Sequence, residues 1–172
     1  SPCRYFGRCV MDSLLLDILK TARPRQWVKN LTLFAALVFT GYLHSPGDIQ
    51  RLFWIVTQAV ASFTVIASAI YFLNDLVDQK SDQAHPFKKK RPIAAGRIPT
   101  SLAVGIFIVA SAVGLIGSLN LSPLFFLTVL GYWILQILYS LWLKNIEVAD
   151  VFVIAIGFFL RVVAGAIVIN AH

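Results

Sequence analysis

The chain has 172 residues, a formal net charge of +7 and a charged fraction of only 13%. Hydrophobic residues make up 58% and the mean hydropathy is +0.77, which excludes an ordinary water-soluble domain, in which about a quarter of residues are charged. Both cysteines, Cys3 and Cys9, precede the only methionine, Met11, so from Met11 onward there is no disulfide, thiolate metal site or cysteine nucleophile.

In chain order, "SPCRYFGRCV" (residues 1–10) reads as a vector-derived or mis-extended leader, followed by one membrane domain over 11–172. Apolar runs approaching the roughly 20 residues of a spanning helix then recur about five times. They cover Trp27–Leu43, Leu52–Leu73, Leu102–Leu119, Leu124–Leu143 and Val151–Ile169. The runs are continuous and lack period-two alternation, so the expected fold class is all-α, a multi-span transmembrane helical bundle. "HSPGD" and "NLSP" are tight turns after the first and third spans.

Six Lys/Arg lie between residue 1 and Asn30, and six more between Asp75 and Pro99. The turn between the first two spans has only Arg51, and the turn after the third has none. The positive-inside rule then predicts a cytoplasmic N-terminus and a cytoplasmic 75–99 loop, with the "KNIEVAD" link on the same side. Trp27, Tyr42, Trp54 and Trp142 sit near predicted span ends, as interface anchors do.

The 75–99 connection is too long for a simple turn, and loops of that length are usually functional or disordered. Asp75, Asp78 and Asp82 follow i, i+3, i+7 spacing, so a continued second helix would stack them on one face. Crowded carboxylates call for a cation. Mg²⁺ is the natural candidate, because it takes oxygen ligands from one or two carboxylates plus substrate phosphates. Lys88, Lys89, Lys90 and Arg91 follow and can hold the remaining phosphate oxygens. The competing reading of the basic run is a solvated loop drawn to anionic lipid.

"NDLVDQKSD" (Asn74–Asp82) matches the NDxxDxxxD signature of the UbiA superfamily of intramembrane prenyltransferases, and "HPFKKKRPIAAG" after it is family-like. "RPRQWVKN" and "YSLWLKNIEVADVFVIAIGFFLRVVAGA" resemble the phosphoribosyltransferase branch, which makes polyprenyl-phosphoryl phosphoribose. The resemblance implies about nine helices and a second aspartate motif after the sixth. This chain has about five spans and no second motif, and Glu147 and Asp150 do not substitute for it, so it is expected to be an N-terminal fragment.

The implied chemistry is transfer of a 5-phosphoribosyl group from 5-phosphoribosyl diphosphate to a polyprenyl (decaprenyl) phosphate. Asp75, Asp78 and Asp82, with Asn74, would hold Mg²⁺ and grip the diphosphate. The alternative within the family is transfer of a polyprenyl group from its diphosphate to an aromatic acceptor. A third reading is a transporter or non-enzymatic membrane protein, which unpaired midspan acids would favour and the spans lack. The expected partners are these substrates and the lipid bilayer, not nucleic acid. The Asp-Gly…Ala-Arg pattern of CDP-alcohol phosphotransferases is absent.

Further candidates lie outside the motif. The resemblance raises Arg23, Lys29 and Asn30 as substrate-binding residues, whereas Arg25 reads as flanking charge. Tyr139 and Lys144 end the fourth span on the side of the aspartates. Arg161 lies about 16 Å along a helix from Asp150, near the bilayer midplane, and is read either as a buried ion pair with a helix missing from this fragment or as a cation lining a substrate cavity. Gln58 and Gln136 read as interhelical hydrogen-bond formers. His85 has no second ligand at metal spacing, so zinc is not expected.

Overall fold

The computed structural model describes residues 3–39, 49–146 and 148–170, with side chains from residue 13 onward. Every element among the described residues is helical. In order these are α1 (Cys3–Ala22), a 3₁₀ segment (Pro24–Thr32), α2 (Leu33–Phe39), α3 (Ile49–Val77) and α4 (Gln79–Ala84). A 3₁₀ turn (Lys88–Lys90), α5 (Thr100–Leu121), α6 (Pro123–Leu141), a second 3₁₀ turn (Leu143–Asn145) and α7 (Ala149–Asn170) complete the order.

The second to fifth expected spans become α3, α5, α6 and α7, each long and apolar enough to cross a membrane. The protein is an integral membrane protein. The expected first span differs. Its described part is the 3₁₀ segment and the seven-residue α2, while its remainder, Tyr42 and the "HSPGD" turn lie outside the described residues. Pro24 lacks the amide hydrogen that would extend α1 and disfavours helical backbone at Arg23 before it. The polar Asn30 is then buried at 1% exposure and donates to Thr64 Oγ1 at 3.0 Å.

Helix α3 is the central element and packs against α1, α2, α5, α6 and α7. On one side α5 presents a seam of buried small residues, Ala103, Ser111, Gly114 and Ser118. A Cβ on Gly114 would fall 2.5 Å from the Ile66 side chain, so glycine sets this close approach. On the other side Phe63 of α3 packs with Phe125 of α6, in a core that also holds Val129 of α6, Val168 of α7 and Leu33 of α2. The chain reverses between α5 and α6 through an extended Ser122, with Pro123 opening the next helix.

A smaller core lies under the 75–99 loop, where Ile93 and Ile98 pack with Phe72, Ala22 and Ala103. Gln79 Nε2 donates to the Ile93 carbonyl and Gln83 Nε2 to the Ala94 carbonyl, at 3.4 and 3.2 Å. Gly96, at φ 72°, turns the chain back toward α5 in left-handed backbone that other residues rarely adopt. The loop is therefore a folded cap. Arg97 Nε ties it to α1 by donating to Asp17 Oδ2 at 2.7 Å.

Two expectations are corrected by packing. Trp27 is not an interface anchor, because its Nε1 donates to the Ala22 carbonyl and Ser68 Oγ, at 3.0 and 3.1 Å. Gln58 is exposed on α3 and forms no interhelical bridge among the described residues. Trp54 and Trp142 are exposed, at 58% and 68%, as belt residues are.

Candidate functional site

Contacts between elements gather the 3₁₀ segment after α1, the 75–99 loop and the link after α6 at one end of the bundle. There Arg23 Nη2 donates to Asp75 Oδ1 at 2.8 Å. Arg91 Nη1 donates to Asp82 Oδ2 at 2.8 Å and lies 3.3 Å from Asp75 Oδ1. Lys144 Nζ pairs with Asp78 Oδ1. Asp75 and Asp82 are almost wholly buried, at 3% and 2% exposure, so unpaired charge would be costly and guanidinium partners offset it.

The three aspartates do not all share one face. Seven residues are nearly two full turns, so Asp75 and Asp82 align and share Arg91. Asp78, three residues on, is rotated about 60° aside, and its carboxylate meets Lys144 in the 3₁₀ turn after α6 instead. Among the described residues no three His, Cys, Asp or Glu side chains group closely enough to hold a metal between them. The donor set still suits a hard cation, because the Asp75 and Asp82 oxygens converge on one cationic nitrogen.

These groups edge an outer chamber of about 370 Å³. Arg23, Lys29, Lys88, Arg91 and Lys144 line it, with Asn74 and Asp78. Tyr139 also lines it and donates from its hydroxyl to Asp150 Oδ1 at 2.7 Å. Lys89 and Lys90 do not line it; they are exposed on the 3₁₀ turn. Arg25 is exposed away from it. His85 faces its own loop, with Nδ1 accepting from the Phe87 and Lys88 amides at 3.2 and 3.3 Å.

Arg23 carries a second signature. It is the only non-glycine residue with positive φ among the described residues, at 53°. Left-handed backbone costs a residue of this type about 1–2 kcal/mol. The bond to Asp75 and the guanidinium stacked 4.8 Å over the Tyr71 ring hold it there.

An inner chamber of about 240 Å³ continues from the outer one, sharing Lys29, Tyr71, Asn74, Gln136 and Ile154. At its wall Arg161 is 9% exposed. Its Nε donates to Asn30 Oδ1, Nη1 to the Gly157 carbonyl and Nη2 to the Tyr132 hydroxyl, each at 2.9 Å. Arg161 thus lines a cavity and forms no salt bridge among the described residues. Asn30 does not line the chamber; it holds Arg161 from behind. Gln136 faces both chambers, which replaces the bridging role expected of it.

Gln26 also lines the outer chamber, and nothing in the sequence points to it; Tyr71 and Tyr132 do carry a signal. Tyr71 sits one turn before Asp75. Tyr132, Gln136 and Tyr139 share i, i+4, i+7 spacing on α6, as Ile154, Phe158 and Arg161 do on α7. The cavity is where these faces meet.

The matched family model is the UbiA prenyltransferase family, over residues 31–172. The chain belongs to the UbiA prenyltransferase family. Among UbiA relatives, the chain is 34% identical over 155 residues to decaprenyl-phosphate phosphoribosyltransferase of Mycobacterium tuberculosis (strain H37Rv), covering 90% of this chain and 51% of that protein. It is 36% identical over 156 residues to the protein of the same name from Corynebacterium glutamicum, covering 87% and 45%. The fold matches a UbiA homolog from Archaeoglobus fulgidus, solved bound to GPP and Mg²⁺, with a TM-score of 0.71 and 24% identity. That match covers 91% of this chain and 55% of the other. The chain thus spans about half the length of the relatives it matches.

Proposed function

We propose that this chain forms part of a Mg²⁺-dependent phosphoribosyltransferase that moves a 5-phosphoribosyl group from 5-phosphoribosyl diphosphate to a polyprenyl phosphate. The observation that carries the reading is the outer chamber, where five cationic side chains face the same space as Asn74 and Asp78, beside the buried Asp75 and Asp82. The relatives' names supply the substrate class.

In this reading Asp75 and Asp82 would hold the metal, with Asp78 and Asn74 available beside them. The bound ion would supply Lewis-acid stabilisation of the departing diphosphate. Arg23, Lys88, Arg91 and Lys144 hold the phosphate oxygens left over, and Arg91 and Lys144 turn from their aspartates to do so. The acceptor phosphate is already an anion, so attack at the anomeric carbon requires no general base. His85 is engaged with backbone amides, which agrees with that. The charged end faces the cytoplasm, by the Lys/Arg asymmetry, and admits the soluble donor. The isoprenoid tail lies along the apolar helices.

The test is binding of labelled 5-phosphoribosyl diphosphate to the detergent-solubilised chain, with and without Mg²⁺. A prenyl diphosphate and an Asp75→Asn, Asp78→Asn double variant run beside it. Metal-dependent sugar-donor binding that the variant loses is the expected result. Preference for the prenyl diphosphate would overturn the donor assignment in favour of prenyl transfer to an aromatic acceptor.

A further inference from the structure

Arg161 is a buried cation with no carboxylate answering it among the described residues. A guanidinium has five N–H donors in a fixed fork, and three hydrogen bonds from Arg161 are accounted for, all to neutral acceptors. The charge is therefore dispersed by dipoles and by the Tyr132 ring, 4.9 Å from the guanidinium carbon, but it is not neutralised. Among the described residues no Asp or Glu lines the inner chamber beside it, and Lys29 adds a second positive charge there. Buried charges are normally paired, because an isolated one pays a large desolvation penalty. The described wall of this space of about 240 Å³ thus carries two cations and no acid, and suits an anion.

The wall also says what the anion is attached to. Asn74, Gln136, Tyr71 and Tyr132 add neutral polar groups around the chamber, and Ile154 and Phe158 add apolar lining. The two chambers share five lining residues, so a ligand held in the outer one extends directly into the inner one.

We propose that the inner chamber is a phosphomonoester subsite in which Arg161 and Lys29 bind the phosphate and Asn30, Gly157 and Tyr132 hold the Arg161 fork in place. Two sources present that chemistry. On the donor reading above, on which this assignment of the carrier rests, it is the 5-phosphate of the sugar. The other source is the phosphate of the acceptor lipid.

The experiment is calorimetric titration of the detergent-solubilised chain, without divalent cation, using ribose 5-phosphate, a short-chain prenyl phosphate and neutral ribose. Omitting metal and diphosphate isolates the inner chamber from the aspartates. Ribose 5-phosphate is expected to bind and ribose not. Arg161→Gln should weaken phosphate binding about tenfold or more, as loss of a charge-assisted contact does, and Arg161→Lys should restore part of it. An effect of Arg161→Gln on the prenyl phosphate alone would support the subsite and assign it to the acceptor.

Lys29→Gln, an exposed position, gives a second variant independent of the buried network and should weaken the same ligand at least about threefold. Failure of both phosphates to bind the parent chain would overturn the subsite. So would unchanged affinity in Lys29→Gln and in an Arg161→Gln protein that keeps its helical circular dichroism. Such a result would leave the donor reading intact if metal-dependent binding of 5-phosphoribosyl diphosphate persisted and still required Asp75 and Asp78.

Discussion

Arg91 donates to Asp82 at 2.8 Å, and the same nitrogen lies 3.3 Å from Asp75, two helical turns earlier. One guanidinium thus answers two buried carboxylates. If the divalent ion is held by these carboxylates as proposed, Arg91 would have to release them for it to bind. Replacing Arg91 with Ala should therefore lower the melting temperature of the metal-free chain. The loss is about 1.5–3 kcal/mol for each charged hydrogen bond removed. Added Mg²⁺ should raise the melting temperature of Arg91→Ala more than that of the parent chain. Equal shifts in detergent scanning fluorimetry would mean that the metal does not use these carboxylates.

The basic run offers a sharper contrast. Lys88 lines the outer chamber, whereas Lys89 and Lys90 do not. Lys88→Ala should weaken binding of 5-phosphoribosyl diphosphate several-fold. Lys89→Ala and Lys90→Ala should stay within about twofold, as exposed charges do. Comparable losses at all three positions would point to diffuse electrostatic attraction instead.

The tie between α1 and the charged loop depends on pH in a defined direction. The hydrogen bond and charge of Arg97 hold the Asp17 carboxyl below its ordinary 3.8, although its burial acts the other way. A depressed native pKa stabilises the fold fully above the unfolded value and is lost as pH falls through the native one. The stability difference between the parent chain and Asp17→Asn should be level above about pH 5, and then shrink through and below the usual carboxylate range near 3.9. Thermal melts of both proteins across that range check this. A difference that grows on acidification would contradict it. Half-exposure of Arg97 limits the effect to the order of 1 kcal/mol.

Helix α7 reaches α2 only because position 165 lacks a side chain. A Cβ on Gly165 would lie 2.3 Å from the Leu33 carbonyl oxygen, a backbone atom that cannot swing aside. Gly165→Ala should destabilise the chain by about 1–3 kcal/mol, the usual cost of overpacking. Gly131→Ala, where no atom lies within 4 Å, should be near neutral. Melting curves of the two variants give the comparison directly.

Continuous apolar runs bounded by Pro, Gly and charge were enough to locate α3, α5, α6 and α7, because a bilayer demands length and hydropathy from each helix separately. The aspartates, Lys144 and Arg161 were legible as candidates for a related reason. Charge in so apolar a chain needs a cause wherever it stands. Partnership was not legible. Arg23 meets Asp75 from 52 positions away, Lys144 meets Asp78 from 66, and Arg161 meets Asn30 from 131. Helical spacing describes only neighbours on one helix, so it could not show that Asp78 turns from its fellow aspartates, that Trp27 is tied inward, or that Gln136 faces a cavity. Those outcomes depend on which helix faces meet and how closely small residues let them approach. The sequence by itself determined a helical membrane protein with a charged end; only tertiary packing decided which cations answer the acids and, among the described residues, set neutral acceptors rather than an acid around Arg161.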